Sequence, residues 1–457
     1  MTPSGRKGKG HPPAESNAAE VLAERVYEVV AGEEDERSCE AIPEEACTEV
    51  PGNFLLNALN GAATKLAEQL ASPGLVLPWL LGAVGAPAAL VGLLVPIRRG
   101  GSLLPQLSIA GRIRARARRK WYWVGAGVVQ AVALAAMIPA LILLPPTAAG
   151  VAVVASLAIF SVASGVGSVA FKDVMAKTIP RGRRGRLLGI RATAGGLLAL
   201  GAAAFLRTRV GEGDALTPYL VLLATAAGLW LLASALFAGI REFDGATEGG
   251  RNALEEARAG IHFLREEPAF AGFVGARGLL LAAQLASPFY AIQAQSALGV
   301  GAGNLVLLVM ASSLASVLSS PFWGRFSDAS ARRVMVAGGI WTALTVVLAL
   351  AGELLPENHL GLALFGLVFL SSGFAVAGVR LGRKTYLLDG APERDRPLMV
   401  AVSNTAVGVL YGGAALLGLV ADRLGVSVVL GILGLMATLG TVLAWRLPEA
   451  HRLIGHR

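Results

Sequence analysis

The sequence predicts an all-α membrane protein of twelve transmembrane helices, arranged as two pseudo-symmetric six-helix bundles. Three observations carry this. Apolar residues make up 54% of the 457 and charged residues only 16%, too little charge to cover a soluble protein of this size. The apolar residues cluster in runs near the ~20 residues that a helix needs to cross a bilayer. Finally, a pentapeptide occurs twice, as Gln69-Leu-Ala-Ser-Pro73 and Gln284-Leu-Ala-Ser-Pro288, 215 positions apart. Such an internal repeat is what a duplicated six-helix unit leaves behind.

The runs fall at 54–80, 86–108, 121–144, 149–171, 187–205 and 217–240, then at 270–298, 304–322, 334–350, 361–379, 399–420 and 426–447. The first and seventh are long, and each is broken by its repeated proline, which removes a backbone donor and clashes with the preceding turn. The domain organisation that follows is a leader over 1–52, a first bundle over 53–240, a linker over 241–269, a second bundle over 270–447 and a tail over 448–457. Within the leader, residues 18–31 have the pattern of a short amphipathic helix. Leu254, Ala257, Ile261 and Leu264 recur at helical spacing in the linker, which is expected to lie on the inner membrane face. The leader does not read as a signal peptide, because an acidic stretch precedes the first apolar run.

Charge sets the orientation. The chain carries 40 Lys and Arg against 31 Asp and Glu, but the excess sits in short loops and not in a nucleic-acid-binding patch. Residues 111–120 (GRIRARARRK) hold six basic residues and no acid. Lys177, Arg181, Arg183, Arg184 and Arg186 follow the fourth run, and Arg325, Arg332 and Arg333 follow the eighth. Alternate connections near 82–85, 145–150 and 299–303 are uncharged. The positive-inside rule puts both termini in the cytoplasm, and Trp121, Trp123, Trp323 and Trp445 are expected to form an aromatic belt there. The chain is thus expected as a multi-pass protein of a bacterial cytoplasmic membrane, acting as a monomer in the lipid bilayer.

The loop Gly324-Arg-Phe-Ser-Asp328-Ala-Ser-Ala-Arg332-Arg333 resembles the G-x-x-x-D-(R/K)-x-G-(R/K)-(R/K) loop of the major facilitator superfamily. The equivalent loop of the first half keeps Gly111, Arg119 and Lys120 but lacks the aspartate, so a symmetric pair of latches does not follow. Residues 172–186 (KDVMAKTIPRGRRGR) and 384–396 (KTYLLDGAPERDR) match at a spacing of 212, pairing Pro180 with Pro392 and Arg184 with Arg396. The resemblance covers nearly the whole chain. It implies alternating access to a central cavity, with Gly111, Arg119, Lys120, Asp173, Arg184, Gly324, Asp328, Arg332, Arg333 and Arg396 as gating residues on the inner face. Residues 39–54 and 96–106 (PIRRGGSLLPQ) also resemble a subgroup of bacterial permeases.

The chemistry concentrates in the first two runs. Asn57, Asn60, Gly61, Thr64, Lys65 and Glu68 share one arc of a helix. Lys or Glu at the bilayer centre costs ~2.5–3.5 kcal/mol on insertion scales, so both are expected to face protein or a wet cavity. Their i,i+3 spacing also permits a structural ion pair. Arg98 and Arg99 lie at similar depth between Pro96 and Gly100-Gly101. That composition predicts a broken helix, or a loop between two shorter ones, exposing guanidinium groups able to fork onto carboxylate or phosphate. Gln130, Gln284, Tyr290, Gln293, Gln295 and Asn404 complete the expected cavity, each with helix–helix hydrogen bonding as its alternative. Arg277 lies near enough to the end of its run to snorkel.

The functional expectation is a secondary carrier, not an enzyme. Its substrate is a small anionic or zwitterionic organic solute, and the expected coupling ion is H+. A buried carboxylate alone favours its neutral form, and beside a guanidinium it stays ionised; a solute that takes the arginine would let Glu68 accept a proton. An exporter of amphipathic or drug-like compounds, and a membrane sensor acting through the leader, are the alternatives. The fifth run lacks the Gly-Pro pattern of drug antiporters in the superfamily. No phosphate-cradling loop is present, so no ATP drive is expected. No cofactor and no metal is expected, since Cys39 and Cys47 without histidine make a weak metal signal.

Overall fold

The computed structural model describes residues 48–207, 216–244, 264–299, 301–352, 359–392 and 396–450, with Glu24 and Leu453. The expected leader helix, Cys39 and Cys47, and most of the linker lie outside the described residues. Among the described residues there is no strand. The first half comprises α1 (Val50–Leu70), α2 (Val76–Ala83), α3 (Ala88–Arg114), α4 (Lys120–Leu143), α5 (Pro146–Thr178), α6 (Arg181–Arg207) and α7 (Thr217–Ala238). The second comprises α8 (Pro268–Leu279), α9 (Ala282–Leu285), α10 (Ser287–Leu298), α11 (Ala302–Ala329), α12 (Ala331–Ala351), α13 (His359–Gly390), α14 (Arg396–Ala414), α15 (Leu417–Leu424) and α16 (Val426–Arg446).

Among the described residues, ten segments are long and apolar enough to span a membrane, counting α8 to α10 as one and the α14–α15 stretch as one. The remaining two, α1–α2 and α3, carry Lys65, Glu68, Arg98 and Arg99. α1 also carries Asn53, Asn57 and Asn60, which lower its apolarity further. Outward-facing Leu143, Val132, Leu231, Leu344, Val347 and Leu435 are exposed, as side chains that face lipid should be.

Both repeated prolines break their spans. Pro73 lies in the gap between α1 and α2, where Ser72 Oγ accepts from Val76 N at 3.2 Å. Pro288 sits in the first turn of α10, where its missing N–H is no loss. The two breaks meet: a Cβ on Gly74 would lie 3.0 Å from Ser287 Cβ. The duplicated sequence therefore marks a contact between the halves.

In the first half α1 packs between α6 and α7, α4 packs on α5 and α7, and α3 packs on α5. The second half repeats this with α12 against α13 and α16, and α11 against α13. The halves meet along α3 with α14 and α15, and along α6 with α11. Successive helices run in opposite directions, so the arginine-rich loops gather at one end, the basic end. At the opposite, far end the halves are tied directly. Gln295 Nε2 donates to Trp79 O at 2.9 Å, and Ala89 N donates to Asp422 Oδ2 at 3.0 Å. Gly92 and Gly418 touch there with no room for a Cβ on either.

Three expectations are corrected. Residues 96–101 form neither a break nor a loop: α3 is continuous from Ala88 to Arg114. Its tertiary contacts hold the helix through both prolines. The expected tryptophan belt is divided. Trp121 and Trp445 are exposed, but Trp123 and Trp323 are buried. Trp123 stacks on Phe237 at 4.2 Å, and Trp323 Nε1 donates to Phe374 O at 2.9 Å. Arg277 does not snorkel. It is buried, with its guanidinium directed at α14.

Candidate functional site

The first pole of the site grows from α1. The arc that the sequence marks out divides between two environments. Asn57, Asn60 and Thr64 are buried in the helix interface. Arg191 of α6 reaches them, donating to Asn57 O, Asn57 Oδ1 and Asn60 Oδ1, each at 3.2 Å. Asn60 Nδ2 donates in turn to Ala233 O of α7 at 2.8 Å, and Thr64 Oγ1 donates to Gly61 O at 3.0 Å. The Arg191 guanidinium lies 4.3 Å from the centroid of the Phe171 ring, and Gly61 makes room for its stem. These groups join α1, α6 and α7 into one body.

Lys65 and Glu68, on the other side of the arc, are reached by solvent. Lys65 Nζ donates to Glu68 Oε2 at 2.7 Å, and Arg98 NH2 of α3 lies 3.4 Å from Glu68 Oε1. The Lys65 side chain is 48% exposed, Glu68 34% and Arg98 12%. Arg98 also stands over the Phe160 ring at 5.1 Å. Charged side chains this deep in a span are expected to face protein or water and not lipid.

The second pole is built from α8, α13, α14 and the next residue of α3. Arg277 of α8 donates to Ser403 Oγ, and to Asn404 Oδ1 at 2.7 Å. Arg380 and Arg383 follow each other by three residues on one face of α13. Arg99 of α3 is exposed, as is Arg380. All four arginines lie within electrostatic range of the buried Tyr411 of α14, and Arg380 is also within range of Glu68. Gly100 brings α3 against α14, because a Cβ there would lie 3.4 Å from Tyr411 Cβ. Sequence reasoning missed Arg380 and Arg383 altogether. Among the described residues, Glu68 is the only carboxylate in the middle of a span, against Lys65, Arg98, Arg99, Arg191, Arg277, Arg380 and Arg383.

The remaining expected cavity residues are scattered. Gln130, Gln284, Tyr290, Gln293 and Gln295 are buried. Tyr290 packs edge-on to Phe369 at 6.5 Å, and Gln130 Nε2 has no partner among the described residues.

At the basic end, Arg119 NH1 pairs with Asp173 Oδ2 at 3.2 Å. Arg184 Nε donates to Ile179 O at 2.9 Å, closing the end of α5. The aspartate lacking from the first-half loop has a substitute, also missed in the sequence. Buried Glu242 accepts from Arg119 N at 2.8 Å, Lys120 N at 2.7 Å and Lys177 Nζ at 2.9 Å, so a carboxylate caps α4. In the second half Glu449 does the corresponding work. It accepts from Ser330 Oγ and from Arg332 Nε, each at 2.9 Å, while Ser330 accepts from Arg333 N at 3.2 Å. Burial acts to raise the Glu449 carboxyl, yet these hydrogen bonds and the charges of Arg332 and Arg333 hold it below the usual carboxylate range. Gly324 lies within α11. The environments of Gly111 and of the side chains of Asp328 and Arg396 fall outside the described residues.

Paired helix bundles with charged side chains at mid-span are an architecture that membrane carriers use. The model of the Major Facilitator Superfamily matches residues 273–455. The fold is similar to that of solved membrane transporters over most of the chain. A D-xylose–proton symporter superposes with a TM-score of 0.66 at 16% identity, covering 87% of this chain and 98% of the other. A nucleoside transporter gives 0.65 at 14% identity, covering 86% and 98%. An uncharacterized protein of Mycobacterium tuberculosis is 28% identical over 360 residues, 76% of this chain and 69% of that protein. A counterpart in Mycobacterium bovis matches to the same extent.

Proposed function

We propose that the protein is a secondary carrier moving a small organic anion across a bacterial cytoplasmic membrane by alternating access, with proton coupling through Glu68. The observation that carries this reading is the charge balance at mid-span, where six basic side chains, besides Arg191 in the helix interface, stand against one carboxylate. Such an excess attracts anions and repels cations over the whole cavity. A zwitterion is accommodated only where Glu68 can receive its cationic end. Residues 1–52, 241–269 and 448–457 are read as cytoplasmic flanks, which makes the basic end the inner one. The state described, tied at its far end, is then closed to the outside.

In this mechanism Glu68 is held between Lys65 and Arg98 in the empty cavity. An incoming anion draws Arg98 away, the carboxylate loses part of its compensation, and it takes up a proton that travels with the solute. Glu68→Gln keeps the shape of the side chain and removes the titration. In proteoliposomes that variant should lose pH-driven accumulation of an anionic solute but retain solute exchange at equal pH. Full pH-driven accumulation by Glu68→Gln would rule out this role.

A further inference from the structure

We infer that the second pole is a head-group site for a dianionic phosphoryl group, so that the solute is a small phosphate monoester. This inference rests on the anion-carrier reading above and makes its substrate specific.

The argument starts from what Arg99, Arg277, Arg380 and Arg383 lack. Among the described residues, no carboxylate lies within ion-pair distance of any of them, whereas Arg98 has Glu68, Arg119 has Asp173 and Arg332 has Glu449. Glu68, which lies within electrostatic range of Arg99 and Arg380, is already engaged by Lys65 and Arg98. Arg277 is buried, and a buried cation without an opposite charge is costly, because it loses hydration and gains no compensation. Four like charges around one tyrosine add their mutual repulsion. A structure that tolerates this is arranged for a group that arrives from outside.

The positions are built and not accidental. Arg277 is fixed by Ser403 and Asn404, which leaves its Nε buried without a partner. The Arg383 Nε is likewise buried and unpartnered. Two donors on two helices therefore await an acceptor at one pole.

The size of the cation cluster selects the acceptor. A monocarboxylate has two oxygens and one charge, enough for one guanidinium fork. A phosphate monoester presents three terminal oxygens and about −1.5 to −2 charge at neutral pH. It can therefore accept from several guanidinium groups at once. The ester oxygen then directs the organic part across the cavity toward Lys65, Glu68 and Arg98, where the near-balanced charge suits hydroxyl or amino groups.

The test is ligand binding to the purified full-length protein in detergent, followed by thermal shift and calorimetry. The probes are methyl phosphate, inorganic phosphate, succinate and acetate. Methyl phosphate and inorganic phosphate should bind, and acetate should bind at least tenfold more weakly. Since the second phosphate ionisation lies near pH 6, affinity for methyl phosphate should rise about fourfold between pH 5.5 and 7.5, a dependence that a merely structural arginine would not produce. Arg383→Gln should weaken methyl phosphate at least tenfold. Arg383→Lys, which keeps the charge and guards against a folding defect, should weaken it by a smaller factor because the fork is lost. Succinate or acetate binding as tightly as methyl phosphate, or affinity unchanged in Arg383→Gln, overturns the phosphoryl assignment and leaves the anion carrier standing. Binding of no anion at all overturns both.

Discussion

Substituting Gly61 with alanine should destabilise the first half, and only while Arg191 is present. A Cβ at Gly61 would lie 2.6 Å from Arg191 Cβ and closer still to Cγ and Nε. One of the two must move, and Arg191 is pinned by Asn57, Asn60 and the Phe171 ring. Hydrogen bonds from a charged donor are worth ~1.5–3 kcal/mol each, and a desolvated cation–π contact adds up to ~2. Alanine recovers about 1 kcal/mol of helix propensity over glycine. Partial loss of the clamp therefore gives a net cost of roughly 2–5 kcal/mol. At roughly 2–4 °C per kcal/mol for a cooperative unit the size of one half, thermal unfolding in detergent should fall by about 5–15 °C. In an Arg191→Ala background the space is free, so Gly61→Ala should be neutral or should stabilise by about the propensity gain. An equal cost for Gly61→Ala in both backgrounds would refute the clamp.

Two further outcomes follow from the ends of the bundle. The Glu449 carboxyl is held low by Ser330 and Arg332, so its stabilisation is fully present above the usual carboxylate value of 4.5 and is lost as pH falls through the depressed one. Glu449→Gln should therefore unfold at a lower temperature than the parent at neutral pH, the two curves converging only under strongly acidic conditions; a constant gap at every pH would contradict this. At the far end, a Cβ on Gly418 would lie 2.5 Å from Ala89 O. Gly418→Leu should hinder closure there, raising the labelling rate of a cysteine placed in the cavity by a membrane-impermeant reagent added from outside; an unchanged rate would argue against this contact as the closing surface.

What could be read from the sequence was what depends on run length, loop charge and repetition. Pro73 and Pro288 break their spans as expected, since proline acts locally through its own backbone. Helical periodicity also placed Asn57, Asn60, Thr64, Lys65 and Glu68 correctly on one arc. It could not say what stands opposite. The arc is wide enough to face two environments, and Arg191 claims its buried side. Arg380 and Arg383 escaped notice for a different reason. The apolar run ends at Val379, so the residues after it read as one more basic loop, yet α13 continues to Gly390 and carries both arginines inside. Polar residues do not end a helix when an aqueous cavity receives them. Pro96 misled in the opposite direction, since its propensity to break a helix is outweighed by the packing of α3 on α5 and on the second half. Glu242 and Glu449 follow the last helix of each half, where no local pattern marks a carboxylate as the cap of a helix more than a hundred residues away.

The hydrogen bond from Ala89 N to Asp422 joins an exposed carboxylate to the first turn of α3. Gly418 and Asp422 repeat at this far end the glycine and aspartate spacing of Gly324 and Asp328 at the basic end. A charge at a helix N-terminus in water contributes ~0.3–1 kcal/mol, and an ordinary hydrogen bond about 1. Together they shift the ratio of the two access states by roughly tenfold. That bias is small enough for an arriving solute to reverse. It is also set by a side chain in contact with the medium, so the resting occupancy of the two states is tunable by ionic strength on that side without altering any residue that meets the cargo.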